Sequence, residues 1–143
     1  MTTDSPQLSK PSPRAADPDL TQPFWDACER HELVAQRCSA CARFRHYPQP
    51  LCPSCFSAEF RWERLAGTGT IHSYAVSHRA FHPAWEDHVP YVIATIELDE
   101  GIRMVCDMLD TDPDAIEIGQ KVVAEFVEMP GQGTMPRFKL VAG

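Results

Sequence analysis

The chain has no long hydrophobic run and no excess of basic residues. Charged side chains interrupt every apolar stretch well before the roughly 18 residues that a membrane-spanning helix needs, so we expect a soluble, cytoplasmic protein. The 143 residues hold 13 Lys and Arg against 20 Asp and Glu, which gives a formal net charge of -7. A protein that binds duplex nucleic acid needs a basic face to neutralise phosphates, so this balance argues against duplex binding.

The sequence also lacks the short motifs that mark common catalytic sites. It has no Gly-x-Ser-x-Gly elbow, no P-loop and no dinucleotide-binding glycine pattern. The segment from His78 to Pro90 combines histidines, aromatic residues and acids, but no group that would orient a histidine for catalysis is evident. We name no catalytic residue, and whether the chain is an enzyme on its own stays open. The segment is typical of a contact surface, and its predicted partner-binding residues are Arg79, Phe81, His82 and Trp85.

Six cysteines are present, and four of them form two tight pairs. Two residues separate Cys38 from Cys41 and Cys52 from Cys55, so two backbone turns can direct four thiolates at one metal ion. Four protein ligands leave no position for water or substrate, and we therefore predict structural zinc. Rubredoxin-like iron uses much the same ligand geometry and stays open as an alternative.

Other roles for the cysteines are less consistent with the sequence. Disulfides need an oxidising compartment, and the polar, proline-rich beginning of the chain shows no secretory signal. A redox pair would explain one Cys-x-x-Cys motif but not two. Cys28 and Cys106 stand apart and lie on the apolar stripes of their own elements, so we expect both in the core.

The N-terminal part divides into a tail and a helix. Residues 1–20 hold four prolines among Ser, Thr and Asp, which predicts a disordered tail. Thr21 and Pro23 are typical of a helix start, and we predict a helix over 21–32. Its apolar stripe could pack on this chain or on another subunit, and we include Phe24 and Trp25 among the candidate partner contacts.

The rest of the chain predicts two mostly β modules. Short extended pieces around the cysteine turns indicate a rubredoxin-like zinc ribbon over 33–66, and the glycines at 67 and 69 mark its end. Five strand candidates with a helical or turn insert at 112–114 indicate a five-stranded OB-fold barrel over 67–143. The predicted barrel strands are 70–78, 91–98, 102–108, 121–128 and 137–141.

The order of these modules resembles a known family. The motifs that carry the resemblance are Phe24-Trp25, Leu33 to Cys38, the paired cysteines, Gly67 to Ile71, Pro90-Tyr91-Val92 and Asp99-Glu100-Gly101. Together they are similar to the zinc-ribbon OB-fold proteins of acyl-CoA metabolism, the domain of unknown function thirty-five family, over roughly residues 20 to 141.

The resemblance implies a non-catalytic subunit of a hetero-oligomer. Family members accompany thiolase-like acyltransferases and lipid-transfer-protein-like aldolases, or are fused to hot-dog-fold hydratases, so an accessory module of an enoyl-CoA hydratase is an alternative. Two readings of other classes stay open: an OB protein that binds single-stranded nucleic acid, against which the acidic barrel argues, and a stand-alone acyl-CoA hydrolase or transferase. Steroid side chains, aromatic acids and fatty acids are equally compatible as acyl groups.

Charge distribution suggests where an acyl-CoA ligand would touch this chain. The segment from residue 30 to 64 contains six arginines and three acids, whereas the segment from 86 to 128 contains twelve acids and two basic residues. CoA needs cations for its phosphates and an apolar slot for its pantetheine arm. An alternative is that these arginines simply face water while nearby aromatic residues shield the thiolates. The candidate CoA-binding residues are Arg37, Arg43, Arg45, Arg61 and Arg64.

Overall fold

The computed structural model describes residues 18–108, 110–131 and 133–141, and it confirms a mostly β protein with an N-terminal helix. Residues 1–17 of the predicted tail lie outside the described residues. The elements are α1 (Pro18–Glu29), β1 (Val34–Cys38), β2 (Phe44–Arg45), β3 (Phe60–Arg64), β4 (Thr68–Ser77), a 3-10 helix (Pro83–His88), β5 (Tyr91–Leu98), β6 (Arg103–Asp107), β7 (Lys121–Met129) and β8 (Gly133–Leu140).

Helix α1 begins at Pro18, three residues before the predicted start, and Pro23 lies inside it. Asp19 in the first turn suits the positive end of the helix dipole, and an internal proline removes only one backbone hydrogen bond from a helix that packing supports. The helix ends because His31 adopts a left-handed φ of 57°, which lets its N–H donate to the carbonyl of Cys28 at 2.9 Å.

The apolar stripe of α1 packs on this chain itself. Phe24 and Trp25 are only 5% and 8% exposed, and the helix lies against β8 and β1. At its C-terminal end the Glu29 carboxylate accepts from the N–H and the hydroxyl of Thr134, each at 3.0 Å. The structure therefore resolves the choice that the sequence left open for this stripe. Phe24 and Trp25 contribute to the core, and their contact with a partner stays a prediction.

The ribbon is a three-stranded antiparallel sheet in the order β2-β1-β3. Strand β3, which follows the second cysteine pair, pairs with β1 along its whole length, from Val34 opposite Arg64 to Cys38 opposite Phe60. Inside it, Arg45 is 5% exposed and donates from Nε to the Gln36 side-chain oxygen at 2.8 Å. Hydrogen bonds from Nε and Nη2 offset part of the cost of burying this guanidinium.

The second sheet has the order β6-β5-β4-β7-β8 and curls into a nearly closed barrel. Alternating inward residues of the five strands form the core, which includes Ile71, Val92, Ile96, Val122 and Phe138. The open seam between β8 and β6 is bridged by Arg137, whose guanidinium lies 3.2 Å from the Asp107 carboxylate.

The last barrel strand differs in detail from the sequence prediction. Strand β8 begins at Gly133, four residues before the predicted start, and it contains Pro136. A proline is acceptable there because β8 is the last strand in the sheet order and needs to pair only with β7. The insert around Pro113 is a turn, which is one of the two forms that the sequence predicts for it. Among the described residues, no helix is long and apolar enough to cross a membrane.

Candidate metal centre and docking loop

The two cysteine pairs lie in turns of the same geometry. The Ala42 N–H donates to the Cys38 carbonyl and the Phe56 N–H donates to the Cys52 carbonyl, both at 2.9 Å. Ala42 and Phe56 adopt left-handed φ values of 64° and 65°. Non-glycine residues seldom adopt this conformation. Its repetition four residues after each leading cysteine indicates that both turns hold their cysteines in the same way.

The four sulfurs converge on one point. All four Sγ atoms lie within 4.8 Å of one another, with 3.5 Å between Cys38 and Cys55 and 3.6 Å between Cys41 and Cys52. A zinc tetrahedron with bonds of about 2.3 Å places its sulfurs about 3.8 Å apart, so the cluster fits a tetrahedral ion. The donor set supports structural zinc, and it leaves no ligand position for a substrate.

Backbone N–H groups polarise two of the sulfurs. The N–H groups of Cys55 and Ser54 lower the pKa of Cys52 to about 6, and the Ser54 nitrogen lies 3.4 Å from that sulfur. The N–H of Cys41 likewise lowers the pKa of Cys38 below its usual range. Hydrogen bonds to the charged form favour it, so the backbone of both turns is prearranged for thiolates.

The combined negative charge of four thiolates would need a cation to balance it. The Ser57 N–H lowers the pKa of Cys55, but the thiol of Cys38, burial and the other two thiols outweigh it and raise that pKa to about 11. Neighbouring anions resist further ionisation when no cation balances them. Four thiolates at these distances would repel one another, and a bound metal would supply the charge that removes this penalty.

The candidate CoA-binding arginines do not share one environment. Arg37 pairs with Glu63 at 2.8 Å and lies over the Phe44 ring, 4.7 Å from its centroid. Arg45 is enclosed in the ribbon, where it also donates to the Gln49 carbonyl at 3.1 Å. These two guanidiniums already have protein partners.

The other three arginines lie at the surface. Arg43 donates to the Ser54 hydroxyl at 3.1 Å, and Arg64 lies 3.9 Å from Glu32 with an exposed side chain. Arg61 is exposed and stands directly opposite Arg37 in the β1–β3 pairing. These surface positions leave the prediction of CoA contacts at Arg43, Arg61 and Arg64 untested.

An open cleft of about 400 Å³ lies between the ribbon and the β5–β6 turn. Arg45 is the one candidate arginine that lines it, beside His46, and the barrel contributes Glu97, Ile102 and Arg103. Sequence reasoning missed His46, Glu97 and Arg103. No spacing links them, because the packing of two separate modules brings them together.

The connection at residues 78–90, which we call the docking loop, has a defined shape. His82 caps the 3-10 helix by accepting from the Ala84 N–H at Nδ1, 3.1 Å away. The Trp85 ring packs against the Tyr91 ring, tilted by 32° with 5.0 Å between ring centroids, and anchors the loop to β5.

The tip of the docking loop is apolar and open. Phe81 is 82% exposed, and the Arg79 guanidinium carbon lies 5.6 Å from its ring centroid. Of the four loop residues predicted to bind a partner, His82 and Trp85 shape the loop, whereas Arg79 and Phe81 face outward.

A four-cysteine ribbon followed by a nearly closed five-stranded barrel defines the class of zinc-ribbon OB-fold proteins. Two family models match the chain: residues 25–61 match the rubredoxin-like zinc ribbon domain of ChsH2, and residues 62–127 match the C-terminal OB-fold domain of ChsH2. The chain belongs to this ChsH2 family, also known as DUF35, as the order of its motifs predicts.

The matches to known relatives extend over most of this chain. It is 42% identical over 140 residues to a probable enoyl-CoA hydratase alpha subunit from Thermomonospora curvata, but spans only 42% of that protein's length. It is 33% identical to a DUF35 domain-containing scaffold protein from Methanothermobacter thermautotrophicus, over 73% of this chain and 79% of the scaffold. A solved chain of an Ltp2-ChsH2(DUF35) aldolase superposes with a TM-score of 0.76 at 42% identity, over 84% of this chain and 93% of that one.

Proposed function

We propose that the chain is a non-catalytic subunit that assembles with an acyl-CoA-processing enzyme and supports its activity. The partner we favour is a lipid-transfer-protein-like aldolase or a thiolase-like acyltransferase. The observation that carries this proposal is the 42% identity to a chain of the Ltp2-ChsH2(DUF35) aldolase, 93% of which is covered. A relative that matches over nearly its whole length supports a common role better than one that matches as a fragment.

The geometry of the chain is consistent with a supporting role. The metal centre is closed by four cysteines, so the ion stabilises the ribbon and takes no part in chemistry. The docking loop projects Phe81 into solvent beside Arg79, and aromatic and arginine side chains supply most of the binding free energy at interfaces. In this proposal the partner supplies the catalytic nucleophile, and the complex forms in the cytoplasm.

An acyl-CoA would contact this chain at the cleft between ribbon and barrel. Arg103 and Glu97 form a loose pair at 3.9 Å along one wall, with exposed side chains that a phosphate or a pantetheine amide could engage. Arg45 adds a positive charge from the opposite wall. The chain would thus complete, rather than contain, the acyl-CoA site.

A second candidate partner is a hot-dog-fold enoyl-CoA hydratase. The observation that favours it is the match of 97% of this chain to the probable enoyl-CoA hydratase alpha subunit of Thermomonospora. In that reading the chain is the accessory module of a hydratase, and its ribbon and docking loop have the same supporting role.

Affinity purification of the tagged chain from its native host tests the proposal. We expect a thiolase-like or aldolase-like protein to copurify, and acyl-CoA turnover to require both proteins. A Phe81→Ser variant should lose about tenfold or more in affinity for the partner, because it removes an exposed aromatic anchor. Leu51→Ser is the matched control, since Leu51 is also exposed but lies on the ribbon. A hydratase in the purified complex would select the second candidate, and turnover by the chain alone would contradict both.

A further inference from the structure

Strand β4 is paired along its whole length on one side only. It pairs with β5 as far as Ser77, but with β7 only from Thr68 to Thr70, after which two backbone hydrogen bonds link Ile71 to the turn before β7. A β-bulge at His72 separates the two halves. From residue 72 to 77, the second edge of β4 faces no other strand of the described chain.

The register identifies which backbone groups this free edge presents. Val92 accepts from the Met108 N–H at 2.9 Å, so its backbone groups point toward β6 and away from β4. In an antiparallel pair, residues opposite each other alternate between exchanging hydrogen bonds and pointing away. Val76 lies opposite Val92, and Tyr74 lies opposite Ala94 two residues along. The N–H and C=O groups of Tyr74 and Val76 therefore point outward, without partners in the part of the chain that the structure describes.

Free strand edges are normally protected by charged residues or proline, and this one is not. The sequence from residue 72 to 77 is His-Ser-Tyr-Ala-Val-Ser, which contains no proline, lysine, arginine or acid. Tyr, Val and Ser suit an extended strand, and four consecutive side chains from residue 72 to 75 are exposed. An edge with these properties is a template for another strand.

The side chains around the edge define what fits there. One sheet face carries the small residues Ser73 and Ala75, with Ile93 beside Ala75 and 37% exposed. The other face carries Tyr74, which is 39% exposed, and Val76. A strand added to this edge would place alternate side chains on each face, so it would be uncharged and would carry bulky apolar residues opposite the small ones.

We propose that an extended, uncharged segment of the partner enzyme adds to the free edge of β4 as a sixth strand of the barrel sheet. This inference rests on the proposed function, because it assigns the partner's contact. The docking loop begins one residue after β4, so strand and loop form one continuous surface. A standard interface buries about 800 Å² of surface on each partner, and a single added strand buries less than that. The docking loop supplies the additional contact area.

Amide hydrogen exchange, resolved to single residues, tests the strand addition on the zinc-loaded chain alone and in the purified complex. We expect the amides of Tyr74 and Val76 to exchange about tenfold or more slowly in the complex. The amides of Ser73 and Ala75, which bond to β5 in both states, are internal controls. Unchanged exchange at Tyr74 and Val76 in an intact complex would overturn the strand addition while leaving the proposed function standing.

A backbone variant gives an independent measurement. Val76→Pro removes an outward donor that β4 does not use for pairing with β5, so the fold and the zinc content should be retained. Its affinity for the partner should fall about tenfold or more relative to Val76→Thr, which keeps the N–H. Equal affinities would refute the inference. It also fails if the isolated chain dimerises with protected Tyr74 and Val76 amides, since a second copy would then cover the edge. If no enzyme copurifies, the proposed function fails first and the inference with it.

Discussion

Arg45 and His46 are neighbours in the chain, but their side chains differ in hydrogen bonding. The Arg45 guanidinium is held by the Gln36 side chain and lies over the Phe60 ring, 4.8 Å from its centroid. The His46 side chain is half-buried near Phe24, and its buried Nε2 has no hydrogen-bond partner within the described chain. Nε and Nη2 of the arginine are hydrogen-bonded, whereas burial disfavours the charged form of the histidine.

This difference limits what sequence alone can predict about single residues. The count of arginines in the ribbon correctly indicates a basic module, but it does not distinguish Arg45, which the ribbon encloses, from Arg61, which is exposed. Burial depends on which strands pair across the molecule. Tight spacing, in contrast, predicts the four metal ligands, because two residues between cysteines determine the turn by themselves.

His46 should make the stability of the fold depend on pH. Burial lowers its pKa from the usual 6.5 to about 4, so between these values the unfolded chain binds a proton that the folded chain does not. The free energy of unfolding should therefore fall as the pH drops from 6.5 to 4, by at most about 3 kcal/mol. Urea denaturation at several pH values measures it. His46→Phe should flatten this part of the profile, and an unchanged slope in that variant would assign the loss to other groups, including the thiolates.

Among elements, the strands with a clear alternation are the ones that sequence predicts well. The predicted strand 102–108 alternates buried and exposed positions, and the observed β6 agrees with its predicted bounds to within one residue at each end. The predicted strand 137–141 begins too late, because β8 starts at Gly133 and includes Pro136, which a terminal strand of the sheet tolerates. The free half of β4 was not predictable either, since a strand's own residues do not specify how far its neighbour extends.

Arg137 should contribute to barrel closure because it joins β8 to β6. Its side chain is 12% exposed and reaches both Asp107 and Asp110 at 3.2 Å. Arg137→Met should leave the half-buried Asp107 carboxylate unpaired and lower the free energy of unfolding by about 1–3 kcal/mol. Chemical denaturation of the zinc-loaded protein measures the change. Lys139→Met is the matched control on the same strand, because Lys139 is well exposed and its pair with Glu125 spans 4.0 Å. Equal losses in the two variants would show that Arg137 has no special role.

At the scale of the whole molecule, the metal centre should stabilise the ribbon and, through it, the packing of helix α1 on the barrel. Both cysteine turns form the end of the three-stranded ribbon, and β1 also contacts α1, which in turn packs on β8. Loss of the ion should therefore disturb the ribbon first and loosen the helix that connects it to the barrel. The closed coordination predicts a defect in assembly, with activity lost only as a consequence.

Cys52→Ser tests this order of events against Cys106→Ser, in which the altered cysteine is buried in the barrel core and burial raises its pKa to about 12. We expect Cys52→Ser to lose bound zinc, to unfold at a lower temperature and to fail to bind the partner, because three thiolates bind zinc far less tightly than four. Cys106→Ser should retain its zinc and its partner. Metal analysis, thermal unfolding and copurification report the three properties separately. A Cys52→Ser protein that stays folded and bound to the partner but no longer supports turnover would instead assign the metal a direct part in the chemistry.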